Sequence, residues 1–99
     1  MLDFYVIKDD QTKPNSPGQI GLQFAGGLDD KTFERLKSKS IIDDRFDYYS
    51  DFRWGTSVIK QINEKIIIRH LHADTDVKAL LQIIQLADKN QSGLIAFAD

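Results

Sequence analysis

The chain has 99 residues, 41% of them hydrophobic, and a formal net charge of -2 at pH 7. This length and composition are typical of one folded domain, and we expect residues 1–99 to form it. The mild acidic balance argues against a nucleic-acid partner, because such binding needs a basic face. The sequence has no cysteine, which excludes disulfides, thiolate metal sites and cysteine nucleophiles.

Targeting signals are not evident in the sequence. The N-terminal stretch Met1–Tyr5 lacks the basic and apolar regions of a signal peptide. No apolar run approaches the roughly 20 residues that a membrane span requires. We therefore expect a cytoplasmic protein without a membrane partner.

The first part of the chain predicts two strands. Residues 2–8 are rich in aromatic and β-branched side chains, which favour a strand. Residues 9–18 contain both prolines and predict a loop. Residues 20–24 alternate apolar with small or polar side chains and predict a second strand that forms a hairpin with the first. Residues 25–27 are expected to close that strand.

A first helix is predicted after the two strands. Asp29 or Asp30 can cap its N-terminus, and the pattern continues to about Lys39. Phe33 and Leu36 have the spacing of a buried stripe on this helix.

A second helix is predicted after the middle of the chain. Thr56 or Ser57 can cap it, and apolar residues at spacings of three and four continue to about Leu71. The run at 66–68 is entirely isoleucine and is also compatible with a strand, so the sequence leaves both possibilities open.

The last part of the chain predicts a helix and a central strand. Asp74 or Thr75 can cap a helix over 76–89, which carries a wide apolar stripe. Residues 94–98 form a short apolar run, as in a strand that is covered on both faces. The predicted fold is α+β, with a small sheet of about three strands and three helices packed on it.

The segment Arg45–Trp54 is the most unusual in the chain, since it contains half of all aromatic residues and the single tryptophan. It resembles neither a helix nor an ordinary strand. Tyrosine and tryptophan are enriched at binding hot spots, and aspartates nearby would attract a basic partner. We predict a partner-binding surface made by Asp43, Asp44, Asp47, Tyr48, Tyr49, Asp51, Phe52 and Trp54. The alternative is a loop that wraps the core, with Arg45 and Arg53 paired to these aspartates.

A second cluster, His70, His72, Asp74 and Asp76, has side chains that could bind a divalent metal ion. Its spacing matches no established ligand pattern, and helix ends account for the same residues. We therefore expect no metal and no cofactor. A small enzyme or metal-binding protein that uses this cluster remains an alternative function.

The phrase from Ile42 to Trp54 resembles one found in small bacterial proteins that are similar to immunity partners of polymorphic toxins. This resemblance implies a cytoplasmic, non-enzymatic inhibitor that neutralises a bacterial toxin through protein–protein interaction. The partner would be a basic toxin domain. A structural subunit that forms homo-oligomers through the aromatic segment is a further alternative, and the oligomeric state is open.

Overall fold

The computed structural model describes residues 1–12 and 21–98, and these ranges contain three helices and four strands. The elements are β1 (Leu2–Ile7), β2 (Gln23–Leu28), α1 (Asp30–Ser38), β3 (Phe52–Trp54), α2 (Thr56–Ile68), α3 (Thr75–Lys89) and β4 (Gly93–Phe97). The strands form one sheet in the order β2-β1-β4-β3, and every neighbouring pair is antiparallel. The predicted α+β class is confirmed, with four strands instead of about three.

The additional strand, β3, comes from the end of the aromatic segment, which we had not expected to be a strand. Phe52 and Trp54 face the helices, while Arg53 lies opposite Ile95 on the other face of the sheet. This alternation with period two is what a half-buried strand requires. Strand β4 is central, as predicted, and its residues Leu94–Ala96 are almost completely buried.

Strand β2 begins and ends later than predicted. It runs from Gln23 to Leu28, whereas predicted residue Ile20 lies outside the described residues. Gly26 and Gly27 do not end the strand, because the pairing with β1 contains a bulge between Phe4 and Tyr5 that accommodates Gly26 at φ 147°. The antiparallel pairing with β1 is confirmed.

Helix α1 follows the prediction closely. The side chain of Asp29 accepts a hydrogen bond from the backbone N–H of Thr32 at 2.8 Å, which identifies Asp29 as the N-cap. Phe33 and Leu36 are completely buried. The helix ends at Ser38, so that Lys39 is its C-cap.

Helix α2 starts with a cap from a distant part of the chain. Its N-cap is Gly55 rather than Thr56 or Ser57, and Gly55 has no side chain to accept a hydrogen bond. The carboxylate of Asp9 takes this role, accepting from the Thr56 backbone N–H at 3.0 Å and from the Thr56 hydroxyl at 2.5 Å. The hydroxyl of Thr56 is the main reason that the pKa of Asp9 is lowered.

The C-terminal end of α2 resolves the ambiguity of the three isoleucines, which are helical. The helix stops at Ile68 rather than Leu71, because His70 adopts a left-handed conformation with φ 55°. The backbone N–H of Leu71 then donates to the Ile66 carbonyl at 3.0 Å and closes the last turn.

Helix α3 begins at Thr75, one residue earlier than predicted, and Asp74 is its N-cap. The Asp74 carboxylate accepts hydrogen bonds from the backbone N–H groups of Asp76 and Val77 at 2.9 and 3.1 Å.

None of the described helices is both long and apolar enough for a transmembrane span.

The hydrophobic core lies between the helices and one face of the sheet. Strand residues Leu2, Phe4 and Leu94 meet helix residues such as Phe33 and Leu80 there. The opposite face of the sheet carries Tyr5, Phe24, Phe97 and Arg53, and no described helix packs on it.

The close approach of β3 and β4 yields a stability prediction. A Cβ atom on Gly93 would lie 2.3 Å from the carbonyl oxygen of Trp54, and that backbone cannot move without breaking the strand pairing. We expect Gly93→Ala to destabilise the fold by about 3 kcal/mol. Gly21→Ala is the control, because Gly21 has positive φ but open space, and about 1 kcal/mol is expected there. Urea unfolding measures both, and equal losses would contradict the steric explanation.

Candidate interaction surface

Two consecutive turns shape the aromatic segment before it enters β3. Asp43 opens the first turn, where its carboxylate accepts from the Arg45 N–H at 3.0 Å. Asp47 opens the second turn, where its carboxylate accepts from the Tyr49 N–H at 3.1 Å. Aspartate favours such turns because its short side chain can bond the backbone two residues further on. The turns therefore explain why aspartates recur four residues apart.

Most aromatic rings of the segment point inward. Trp54 is completely buried, Tyr48 is only 9% exposed, and Phe52 is half-buried against the core. The ring of Phe52 lies 5.0 Å from that of Phe46 and 5.3 Å from that of Trp54. The expectation that Tyr48, Phe52 and Trp54 present anchors to a partner is therefore corrected, because alternation in β3 and the turn at Asp47 direct these rings into the core.

Tyr49 is the exception, with 71% of its surface exposed. Its ring packs edge-on against Tyr48 at 5.1 Å, and its hydroxyl donates to the Asp30 carboxylate at 3.3 Å. The charge of Asp30 is the main cause of a raised pKa at Tyr49, with Asp47 contributing in the same direction. The Asp30 carboxylate thus holds the exposed ring at its hydroxyl, while the Asp47 carboxylate bonds the backbone N–H of the same residue.

The predicted aspartates are all exposed, but they are not equivalent. Asp51 accepts the backbone N–H of Ala98 at 2.9 Å and so fixes the end of the chain after β4. Asp43 and Asp44 border a small depression of about 210 Å³ together with Lys37 and Lys65, which offset their charge. Asp47 instead bonds within its own turn, to the backbone N–H of Tyr49 and the hydroxyl of Ser50.

Asp30 belongs to this surface, although its sequence position predicts only a helix cap. It lies 19 positions before Tyr49 in the chain, and no local sequence pattern connects the two. We define the Tyr49 surface as Asp30, Asp43, Asp44, Asp47 and Tyr49.

The two arginines of the segment do not pair with its aspartates. The guanidinium of Arg45 stacks over the ring of Phe46, 4.8 Å from its centroid. The guanidinium of Arg53 donates to the backbone carbonyls of Lys8, Asp9 and Gln11. Arg53 therefore holds the chain after β1 against β3, next to the Asp9 cap of α2.

The His70–Asp76 cluster is divided by the fold. Asp76 is 7% exposed and receives three hydrogen bonds from Arg35. Arg35 Nε donates to Oδ1 and Oδ2 at 3.0 and 2.9 Å, and Nη2 donates to Oδ1 at 2.9 Å. Lys39 bridges Asp76 and Asp74 at 3.0 and 2.7 Å. These ion pairs join α1 to α3. His70 and His72 are exposed, and the described residues contain no group of three or more side chains arranged for a metal ion.

Comparison of the chain with protein-family models, with curated proteins and with solved structures finds no match.

The carboxylates that join α1 to α3 predict an acid-sensitive contribution to stability. The hydrogen bonds of Arg35 are the main cause of a lowered pKa at Asp76, and those of Lys39 are the main cause at Asp74. A lowered pKa means that the folded state binds the proton less well than the unfolded chain. This stabilisation is therefore complete above about pH 4 and is lost as the pH falls through the lowered pKa values.

We expect Asp76→Asn to lower the Tm at neutral pH, and the difference from the wild-type chain to shrink steadily below about pH 4. Asp88→Asn, an exposed carboxylate on the same helix, is the matched control and should leave the profile unchanged. Thermal melts across the acid range measure both. A difference in Tm that stays constant with pH would show that the Asp76 carboxylate acts by packing rather than by charge.

Proposed function

We propose that this chain is a non-enzymatic binding protein of the immunity type, which neutralises a bacterial toxin in the cytoplasm. The Tyr49 surface would cover a basic region of the toxin. The observation that carries this proposal is Tyr49 itself, a large aromatic side chain that is 71% exposed and flanked by the carboxylates of Asp30 and Asp47.

The chemistry of this surface suits a cationic partner. An arginine or lysine side chain can stack on an exposed tyrosine ring and at the same time pair with adjacent carboxylates. Tyrosine also loses little conformational entropy on binding, and here its ring is already held by Tyr48 and by the hydrogen bond to Asp30. Both features favour Tyr49 as an anchor that is preorganised for binding.

The aspartates Asp43 and Asp44 would contribute less to binding. Asp43 and Asp44 are exposed but lie beside Lys37 and Lys65, so that their net field is weak. Aspartates at the rim of an interface mainly raise the association rate, and salt screens them. We therefore assign binding energy to Tyr49 and Asp47, and only a minor effect on the association rate to Asp43 and Asp44.

Affinity capture from the source bacterium tests the proposal. We expect the immobilised chain to retain one basic protein in stoichiometric amount, and Tyr49→Ala to weaken this binding by at least about thirtyfold because a hot-spot anchor is lost. Ile68→Ala is the matched control, since Ile68 is 74% exposed on a different element. Isothermal titration with the purified partner measures the affinities, and higher salt should weaken the wild-type complex.

The inhibitory role needs a second readout. Expression of the captured protein alone should stop bacterial growth, and co-expression of the wild-type chain should restore growth, while co-expression of the Tyr49→Ala chain restores less. A folded Tyr49→Ala variant that binds and protects as well as the wild type would overturn the assignment of Tyr49. A captured protein that is harmless when expressed alone would overturn the immunity role.

A further inference from the structure

Strand β2 lies at an edge of the sheet and carries neither a charge nor a proline to protect that edge, although a bulge interrupts its pairing with β1. In the described part of the chain its only strand partner is β1. Its six residues, Gln23–Leu28, include no charged side chain and no proline, in a chain of which 28% is charged. Exposed edges normally carry lysine, proline or another charge, because their free backbone groups otherwise pair with another strand.

An apolar strip lies beside this edge, on the sheet face away from the helices. The ring of Tyr5 contacts Phe24 at 5.4 Å on one side and Phe97 at 5.9 Å on the other. Phe24, the outermost of the three, is 54% exposed. A neighbouring strand on the β2 edge would therefore gain backbone hydrogen bonds and cover an aromatic ring at the same time.

We propose that β2 pairs with β2 of a second copy of this chain, in the antiparallel sense, so that two four-stranded sheets become one. Strand β2 is neutral, so that it can face its own copy without repulsion between like charges. Asp29 and Asp30 follow directly after the strand. Antiparallel pairing places Asp29 and Asp30 of the two copies at opposite ends of the interface, whereas parallel pairing would bring the like charges together.

The side chains select the register of this pairing. Phe24 and Gly27 lie on the same face of the sheet, because they pair with Tyr5 and Asp3 of β1. If Phe24 of each copy opposes Gly27 of the other, the outer faces of the two sheets remain aligned. The ring then meets Met1, whose side chain lies over Gly27 and is 57% exposed. A thioether against an aromatic ring is a favourable contact.

The opposite edge of the sheet, formed by β3, is less suited to pairing with a second copy. Strand β3 has only three residues, and its Arg53 side chain is bound to carbonyls of the chain after β1. Pairing of β2 with β3 of another copy would also leave a free edge at each end and add copies without limit. Pairing of β2 with itself is complete after two copies and gives a dimer with twofold symmetry, which is the commonest form of soluble oligomer.

Sedimentation equilibrium of the full chain over a wide concentration range tests the proposal. We expect the mass to rise from 11.3 kDa to twice that value, and Phe24→Lys to raise the dissociation constant at least tenfold, because a charge would enter the apolar strip. Ile68→Lys is the control, as it adds the same charge at an exposed isoleucine of α2. Thermal melts verify that each variant is folded, and Phe24→Ser replaces Phe24→Lys where the lysine prevents folding.

Amide hydrogen exchange of the wild-type chain gives an independent readout. The edge amides of β2 should become more protected as concentration rises, and those of β3 should not. A monomeric mass up to about 1 mM would overturn the proposal, since it would leave less than about 4 kcal/mol for the pairing. A dimer that Ile68→Lys disrupts, or one that protects β3 instead of β2, would overturn it equally.

Discussion

The burial of Trp54 is the constraint on which the rest of this structure depends. Its ring lies 5.2 Å from that of Phe4 and 5.3 Å from that of Phe52, at the junction of the sheet and the helices. Its carbonyl oxygen stands so close to Gly93 that no side chain fits there. Among the described residues, its indole nitrogen is the one buried side-chain nitrogen or oxygen without a partner. The missing hydrogen bond costs about 1–3 kcal/mol, and the burial of so large a ring offsets this cost.

The position of Trp54 also determines what its neighbours in sequence can do. With Trp54 inward, Arg53 must point to the opposite face, where it holds the carbonyls after β1, and Asp9 is thereby placed to cap α2. On the other side, the turn at Asp47 sends Tyr48 into the core, and Tyr49 is left in solvent. The exposed anchor of the proposed function is thus a consequence of how the buried rings are arranged.

Much of the fold could be predicted from the sequence because the helices are encoded locally. Periodic apolar residues and caps such as Asp29 and Asp74 define them within three residues. Strand β3 could not be predicted, since three residues carry too little pattern and their pairing with β4 is non-local. The end of β2 was misplaced because Gly26 and Gly27 usually indicate a turn, whereas a bulge accommodates them here.

The residues of the candidate site could be predicted only in part from the sequence. The composition of the aromatic segment pointed to the right stretch of chain, but it could not separate the exposed Tyr49 from the buried Trp54. That separation depends on which side of the sheet each residue faces, and this follows from the pairing of β3. Asp30 was missed as a site residue because only the tertiary fold brings it to Tyr49.

The two proposed surfaces are close enough for their relation to matter. Asp30 opens α1 two residues after β2 ends at Leu28, and about 20 Å of extended chain separates it from Phe24. A partner that buries about 800 Å² per side covers a patch of roughly 16 Å radius. Centred on Tyr49, such a patch would reach the end of β2. The antiparallel register puts that end at the periphery of the joint, so that each copy in a pair would keep its own Tyr49 surface open to a partner.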